Sequence, residues 1–227
     1  MIFHLPVSTI VILMPLLLYS LVIHEFAHAR TAWNFGDPTA KDMGRMTLNP
    51  LAHIDPLGAI TLLIVGFGWA KPVPVNPFNL HPRRLGDIAV SLAGPASNLM
   101  IAILSLLLLR GWIALANHYP ESITDNVFNT VNKALLFLAI INVGLFAFNL
   151  IPLFPLDGHH ILRELLPANY QQDFMIWQMG FGRILLMALL FGPALLAQVT
   201  GNPDIPDPLH MYFSYARRVV LTIMGTI

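Results

Sequence analysis

The chain has 227 residues, of which 56% are hydrophobic and only 11% are charged. Ordinary soluble domains carry roughly a quarter charged residues, so this composition excludes a disordered chain and argues against a water-soluble globule. The 12 basic and 12 acidic residues balance, and no basic surface that would suggest a nucleic-acid partner is expected. Cysteine is absent, which excludes disulfides and thiol nucleophiles and leaves histidine and carboxylates as ligands for any metal.

The apolar residues lie in long uninterrupted segments, a pattern typical of a multi-span membrane protein. The first span runs from Leu5 to Ile23 and continues helically to Trp33; it lacks a basic n-region, so we expect it to be retained. The tail 209–227, with two central arginines, is either an interfacial helix or a poor span. The other predicted spans are Ile88–Leu109, a third that begins at Val131 or Ala134 and ends at Ile151, and the shorter Ile184–Val199.

A shorter apolar segment follows the first span. Residues Leu57–Ala70 are too few to cross a bilayer, and they are rich in β-branched residues and glycine. The next stretch, Lys71–Pro77, is punctuated by proline, which favours extended backbone. We therefore predict an α-helical polytopic membrane protein with about four to six transmembrane helices and a short membrane re-entrant β-hairpin.

The basic residues predict an orientation. Most of those near the predicted spans fall in the connections between spans one and two and between spans three and four, whereas the other side has Arg110 and little else. The positive-inside rule then places these connections in the cytoplasm and the N-terminus outside. The residues counted are Arg30, Lys41, Arg45, Lys71, Arg83, Arg84, Arg163 and Arg183.

A candidate metal site lies at the predicted cytoplasmic end of span one. His24, Glu25 and His28 form an H-E-x-x-H pattern. Residues four apart lie on one face of a helix, so the two imidazoles can bind one zinc ion, and Glu25 can act as the base for its water. Two histidines near an interface could also be ordinary headgroup-facing residues, but ionisable groups next to a span are costly and usually functional.

A third ligand has to come from elsewhere, because a catalytic zinc usually takes three protein groups and a water. Span three returns to the same side of the membrane and ends in a proline-rich stretch that leads to Asp157. Topology thus brings Asp157 to the side of the histidine pair. The alternative role, which does not exclude the first, is an N-cap for the following helix.

Four stretches together resemble the site-2 protease family of intramembrane zinc metalloproteases, and the resemblance covers residues 20–166. It implies His24, His28 and Asp157 as ligands of one Zn²⁺ per chain and Glu25 as the general base. It also implies that Asn149 touches the substrate or the oxyanion, for which an interhelical hydrogen bond is an equal alternative. The stretches are HEFAH (24–28), NPLAHIDPLG (49–58), AGPASN (93–98) and NLIPLFPLDG (149–158).

The resemblance further implies a re-entrant β-element with a G-x-G pattern, here Gly66-Phe67-Gly68, whose edge could pair with an unwound substrate. A segment that merely fills the fold is the alternative. We expect His53 and Asp55 to have a structural or gating role. His159 and His160 are expected to support the ligands or line an interface.

The sequence therefore predicts one membrane-embedded metalloprotease domain over residues 1–227, with a core at 5–166 and C-terminal helices at 174–227. The expected protein is multi-pass, lies in the plasma membrane, and cuts a single-span membrane protein at a site facing the cytoplasm. The large family members carry PDZ or CBS domains, for which this chain has no room, so regulation is expected from partner proteins, a homo-oligomer or substrate processing. The alternatives are a catalytically silent scaffold and a zinc-sensing or zinc-transporting bundle.

Overall fold

The fold is known from a computed structural model, which describes residues 6–65, 68–202, 204–206 and 208–225. Within these residues the regular secondary structure is helical, with short 3₁₀ turns at Pro50–Ala52 and Pro77–Asn79 and a π-helical turn at Gln178–Gly182. The α-helices are α1 (Val7–Asn34), α2 (Thr39–Asp42), α3 (Pro56–Val65), α4 (Arg83–His118), α5 (Asp125–Asn149), α6 (Asp157–Leu165), α7 (Ala168–Trp177), α8 (Arg183–Thr200) and α9 (Pro208–Met224).

Four helical stretches are long and apolar enough to cross a membrane. Three are α1, α4 and α5, and they coincide with the first three predicted spans. The fourth runs over Ala168–Pro193, through α7, the π-helical turn and the first half of α8. The predicted fourth span, Ile184–Val199, thus begins too late, because the chain stays helical before it. The tail forms α9, which is not among the four candidates.

Helix α4 is the centre of the arrangement. It packs against both α1 and α5, and it also contacts α6 at its beginning. Helix α9 lies along α5, where Val220 joins Leu106 and Ala139 in one apolar cluster. The loop before α6 packs on α8 through Leu156, Leu186 and Leu190. These contacts bring the ends of α1, α4 and α6 together.

The predicted re-entrant β-hairpin is wrong. Residues Pro56–Val65 form helix α3, and the one β-contact in the described part of the chain is an isolated antiparallel bridge between Ile54 and Ala70. The Asp55 side chain accepts a hydrogen bond from Gly58 N (2.9 Å), and Pro56 suits a first helical position. A helix satisfies its own backbone groups, which apolar surroundings demand. Of the G-x-G pattern, Gly66 and Phe67 lie outside the described residues.

Residues 71–76, called the 71–76 segment below, belong to no helix or strand and lie near the end of α1. Lys71 N donates to His53 O (2.8 Å), and Arg45 Nη2 donates to Lys71 O (2.7 Å). At the other end of the segment, Asn76 N donates to Asp37 Oδ2 (2.7 Å). The segment is therefore held at both ends without belonging to a sheet.

Asp37 anchors this region. Its side chain is fully buried and also accepts hydrogen bonds from Thr39 N (3.1 Å), the Thr39 hydroxyl and Asn79 Nδ2 (2.9 Å). Burial by itself raises the pKa of Asp37, but the hydrogen bonds from Thr39, Asn79 and Asn76 outweigh burial and lower the pKa below its ordinary value.

We expect Asp37→Asn to lower the free energy of unfolding by about 2–3 kcal/mol, because an amide nitrogen replaces an acceptor oxygen in a buried cluster of donors. Since the folded-state pKa of Asp37 is lowered, its carboxylate stabilises the fold above the unfolded pKa. That contribution is lost as the pH falls below about 4. Unfolding in detergent, followed against pH, measures both effects. Asp42→Asn, at an exposed carboxylate, is the matched control, and equal stability of the two variants would contradict the prediction.

Candidate metal centre

His24 and His28 lie one helical turn apart on α1, and both side chains are buried. Their Nε2 atoms are 3.0 Å apart. The Nδ1 atom of His28 is 2.7 Å from the Val90 carbonyl oxygen, which can only accept, so this Nδ1 donates. In the neutral ring, His28 Nε2 then presents its lone pair to the centre.

Asp157 completes the group. It is the first residue of α6, and Leu156 occupies the N-cap position, so a capping role for Asp157 is not observed. Its Oδ2 is 3.2 Å from His24 Nε2, and its Oδ1 is 3.4 Å from His28 Nε2. Burial by itself raises the pKa of Asp157, but when the imidazoles of His28 and His24 are protonated they outweigh burial and hold the pKa well below its ordinary value.

The loop that leads to Asp157 is held by a glutamine. Gln178, in the π-helical turn between α7 and α8, is fully buried. Its Oε1 accepts from Phe154 N (2.8 Å), and its Nε2 donates to Pro152 O (2.7 Å). Both groups of one amide thus fix the loop before α6, a role that the sequence analysis missed.

Helix α6 is tied to α4 by buried charges. Arg163 Nη2 pairs with Asp87 Oδ2, and Arg163 Nε donates to Glu164 Oε1 (2.9 Å). Asp87 and Glu164 are both buried. These partners were not predicted either; the available signal was a carboxylate at the start of a span and an arginine six residues after Asp157.

Gly94 leaves the space that the centre occupies. A Cβ atom at Gly94 would lie 2.3 Å from His28 Nε2, and 2.5 and 2.6 Å from His24 Cε1 and Nε2. Real Cβ atoms essentially never approach other atoms this closely, so α4 can pass the histidines only at a glycine.

The donor set fits a zinc ion. The three residues offer two imidazole nitrogens and a carboxylate oxygen that all lie within 4.8 Å of one another. Tetrahedral zinc with bonds of about 2.0–2.1 Å would separate its ligand atoms by about 3.3 Å, which matches the 3.0, 3.2 and 3.4 Å observed. Asp157 Oδ2 is buried without a hydrogen-bond donor, so a cation would satisfy it.

Glu25 lies beside His24 on α1 and is half-buried. Its Oε2 accepts a hydrogen bond from Val73 N (2.8 Å), in the middle of the 71–76 segment. Pro72 and Pro74 flank this donor and have no N–H of their own. The segment thus presents a single backbone donor to the carboxylate at this point.

The other predicted residues have local partners. Asn149 Nδ2 donates to Leu145 O (2.9 Å) within α5, so this bond is not an interhelical one, and the contact with substrate or oxyanion stays a prediction. His53 Nε2 lies 2.8 Å from Thr47 O, and Asp55 caps α3, so both contacts are structural. His160 Nδ1 is 4.0 Å from Asp87 Oδ1, beside the pair that ties α6 to α4.

The four apolar helices and the convergence of two histidines and one aspartate define a membrane protein with a candidate metal centre. The model of peptidase family M50 matches residues 108–189. A protein of Bacillus subtilis named "Putative zinc metalloprotease YwhC" is 39% identical over 188 residues, which is 83% of this chain and 84% of that relative. The chain therefore belongs to peptidase family M50, the site-2 protease family, and the predicted family is confirmed.

A second relative gives the same result. "Putative zinc metalloprotease Rip2" of Mycolicibacterium smegmatis is 35% identical over 184 residues, which is 78% of this chain and 66% of the relative. No solved structure gives a significant match. The prediction that the chain is a membrane-embedded zinc metalloprotease is confirmed at the level of the family. The roles of the individual site residues stay predictions.

We expect Gly94→Ala to lower zinc affinity at least about 10-fold, because the new methyl group would displace both imidazoles. Zinc affinity in detergent, measured by competition with a chelator, tests this. Gly111→Ala on the same helix is the matched control, since a Cβ there meets nothing within 4 Å. We expect the control to bind zinc like the native chain and to be more stable by up to about 1 kcal/mol. Unchanged affinity in Gly94→Ala would show that the histidines do not need this space.

Proposed function

We propose that this metalloprotease cuts membrane-spanning substrates, with His24, His28 and Asp157 as the zinc ligands and Glu25 as the general base. The observation that carries the proposal is the convergence of the three ligand atoms within 4.8 Å at a helix long enough to cross the membrane. Glu25 is adjacent in sequence to one ligand and hydrogen-bonded to the 71–76 segment.

The residues have distinct tasks in this mechanism. When bound, zinc supplies Lewis-acid polarisation of the scissile carbonyl and lowers the pKa of water to about 7. Glu25 accepts the proton of the attacking water and passes it to the nitrogen of the leaving amine. The Val73 N–H group holds one carboxylate oxygen and so orients Glu25 for this transfer.

The proposed substrate is a single-span membrane protein. A substrate helix has to unwind at the cut, because its backbone groups are hydrogen-bonded to one another. The proposed place is the plasma membrane, with the centre facing the cytoplasm. The support is the excess of basic residues in the connection between α1 and α4, which holds Lys41, Arg45 and Lys71. Regulatory membrane partners or a homo-oligomer are further proposals.

Two rival functions make different demands on the chain. A catalytically silent scaffold has no need of the Glu25 carboxylate. A zinc-transporting bundle would need ionisable residues along several spans, whereas the ligand group found in the described residues is a single cluster.

We expect about one zinc per native chain after purification in detergent, and less than half of that in Asp157→Ala, because two histidines leave zinc one ligand short. Elemental analysis under metal-replete conditions measures this. Asp173→Ala removes an exposed carboxylate of α7 and is the control, with native zinc content expected. Full zinc content in Asp157→Ala would break the ligand assignment.

We expect Glu25→Gln to keep its zinc but to lose about 10²- to 10⁴-fold in cleavage rate, because the amide cannot accept the proton. The glutamine oxygen can still accept from Val73 N–H, so the fold is preserved. Peptide termini in membranes from cells holding the native chain or the variant, compared by mass spectrometry, give the readout. Termini that depend on the native chain support the protease. Identical termini in both samples would favour the scaffold, and zinc flux into vesicles would favour transport.

A further inference from the structure

A chain of buried polar side chains links three membrane-spanning helices to the metal centre. Asn98 of α4 and Asn142 of α5 are both 0% exposed, and Ser20 of α1 is 1% exposed. Asn142 Nδ2 donates to Ser20 Oγ (2.8 Å), and Asn98 Nδ2 donates to Asn142 Oδ1 (2.8 Å). Asn98 Oδ1 is 2.6 Å from His24 Nδ1. This series of hydrogen bonds thus ends at the imidazole ring of a proposed zinc ligand.

The donor and acceptor in each of these hydrogen bonds follow from the contacts of Asn142, at the end of the series away from His24. Asn142 Nδ2 also donates to the Leu138 carbonyl oxygen (2.8 Å), which can only accept. The nitrogen side of the Asn142 amide must therefore face Leu138 and Ser20. Ser20 agrees with this, because its hydroxyl proton is given to Leu16 O (2.7 Å) and its lone pairs remain free to accept.

The orientation of the Asn142 amide in turn fixes that of Asn98 and the tautomer of His24. With its nitrogen at Leu138, Asn142 turns its oxygen toward Asn98, and this oxygen needs a donor. Asn98 must then present its nitrogen to Asn142 and its oxygen to His24. Since an amide oxygen only accepts, His24 Nδ1 has to carry the proton, and its Nε2 keeps the lone pair that a metal ligand requires.

The two histidines are therefore oriented in different ways. His28 is fixed by one backbone carbonyl, that of Val90 on α4. His24 depends on side chains contributed by three helices and separated by as much as 122 positions in the sequence. Such polar groups are costly to bury in a membrane bundle unless every one is paired, and here each amide has a partner on both of its ends.

We propose that Asn98, Asn142 and Ser20 are positioning residues that hold His24 in the ring orientation and tautomer needed to bind zinc. The inference rests on the proposed zinc centre and extends it to residues that do not touch the metal. The competing explanation is that the amides only hold the helices together. The two explanations differ in what they predict for zinc binding by folded variants.

Two substitutions of Asn98 separate the explanations. Asn98→Leu removes the acceptor for His24, and we expect zinc affinity to fall about 10- to 100-fold. Asn98→Asp keeps an acceptor for His24 but sets an oxygen against Asn142 Oδ1, so we expect a less stable protein that binds zinc with near-native affinity. If the Asn98 amide only holds the helices together, the zinc affinity of the two variants should instead fall in proportion to their loss of stability.

The measurements are made on the full chain in detergent. Zinc alone is the ligand, and its affinity comes from chelator competition. The visible spectrum of the Co²⁺-loaded protein reports the geometry at the metal. We expect Asn98→Leu to shift the Co²⁺ bands and Asn98→Asp to shift them less. Ser105→Ala is the matched control, because Ser105 is buried on the same helix but donates to Ile101 O within it. It should leave affinity and spectrum unchanged.

A further variant covers the case in which Asn98→Leu does not fold. Asn142→Leu changes no residue in contact with His24, yet it removes the group that orients Asn98. We expect its zinc affinity to fall below that of Ser105→Ala, and equal affinities would overturn the proposal. Native affinity and an unshifted Co²⁺ spectrum in folded Asn98→Leu would also overturn it. Absence of zinc from the native chain would instead defeat the proposed function itself.

Discussion

His24, His28 and Asp157 hold three potential ligand atoms within about 3 Å of one another inside an apolar bundle. Other contacts in the structure keep these three residues in place. Two of them come from one helix, so their spacing follows from helical geometry alone. The third, Asp157, begins a short helix far away in the sequence. It stays in place because Gln178 holds the loop before it and because Arg163 ties its helix to Asp87.

The apolar surroundings explain why the described backbone is mainly helical and why buried polar side chains are paired. Where water is scarce, backbone groups are satisfied inside helices, and buried polar side chains are satisfied by one another. This accounts for helix α3 at a place where composition suggested strands. It also accounts for the pairing of Asn98 with Asn142 and for the full set of donors around Asp37. Polar contacts between elements therefore mark the places where the bundle is fixed.

Much of the candidate site could be predicted from the sequence. The pattern of His24, Glu25 and His28 lies within one helical turn, so local spacing was sufficient to predict a shared face. Asp157 was predicted by counting spans, because the first and third spans end on the same side of the membrane. Three of the four predicted spans were found in place for a related reason, since length and hydropathy are properties of a continuous segment.

What only the tertiary structure decided is which distant residues meet. The partners of His24, Asp157 and the 71–76 segment come from other helices and loops. The spacing of residues along the sequence does not indicate such pairs. The contact of Asn98 with Asn142 spans 44 positions and that of Arg163 with Asp87 spans 76. The sequence by itself determined the apolar helices and the chemistry of the ligands, because both are local. Their relative placement depended on packing, because a side chain bonds to whatever the fold brings within reach.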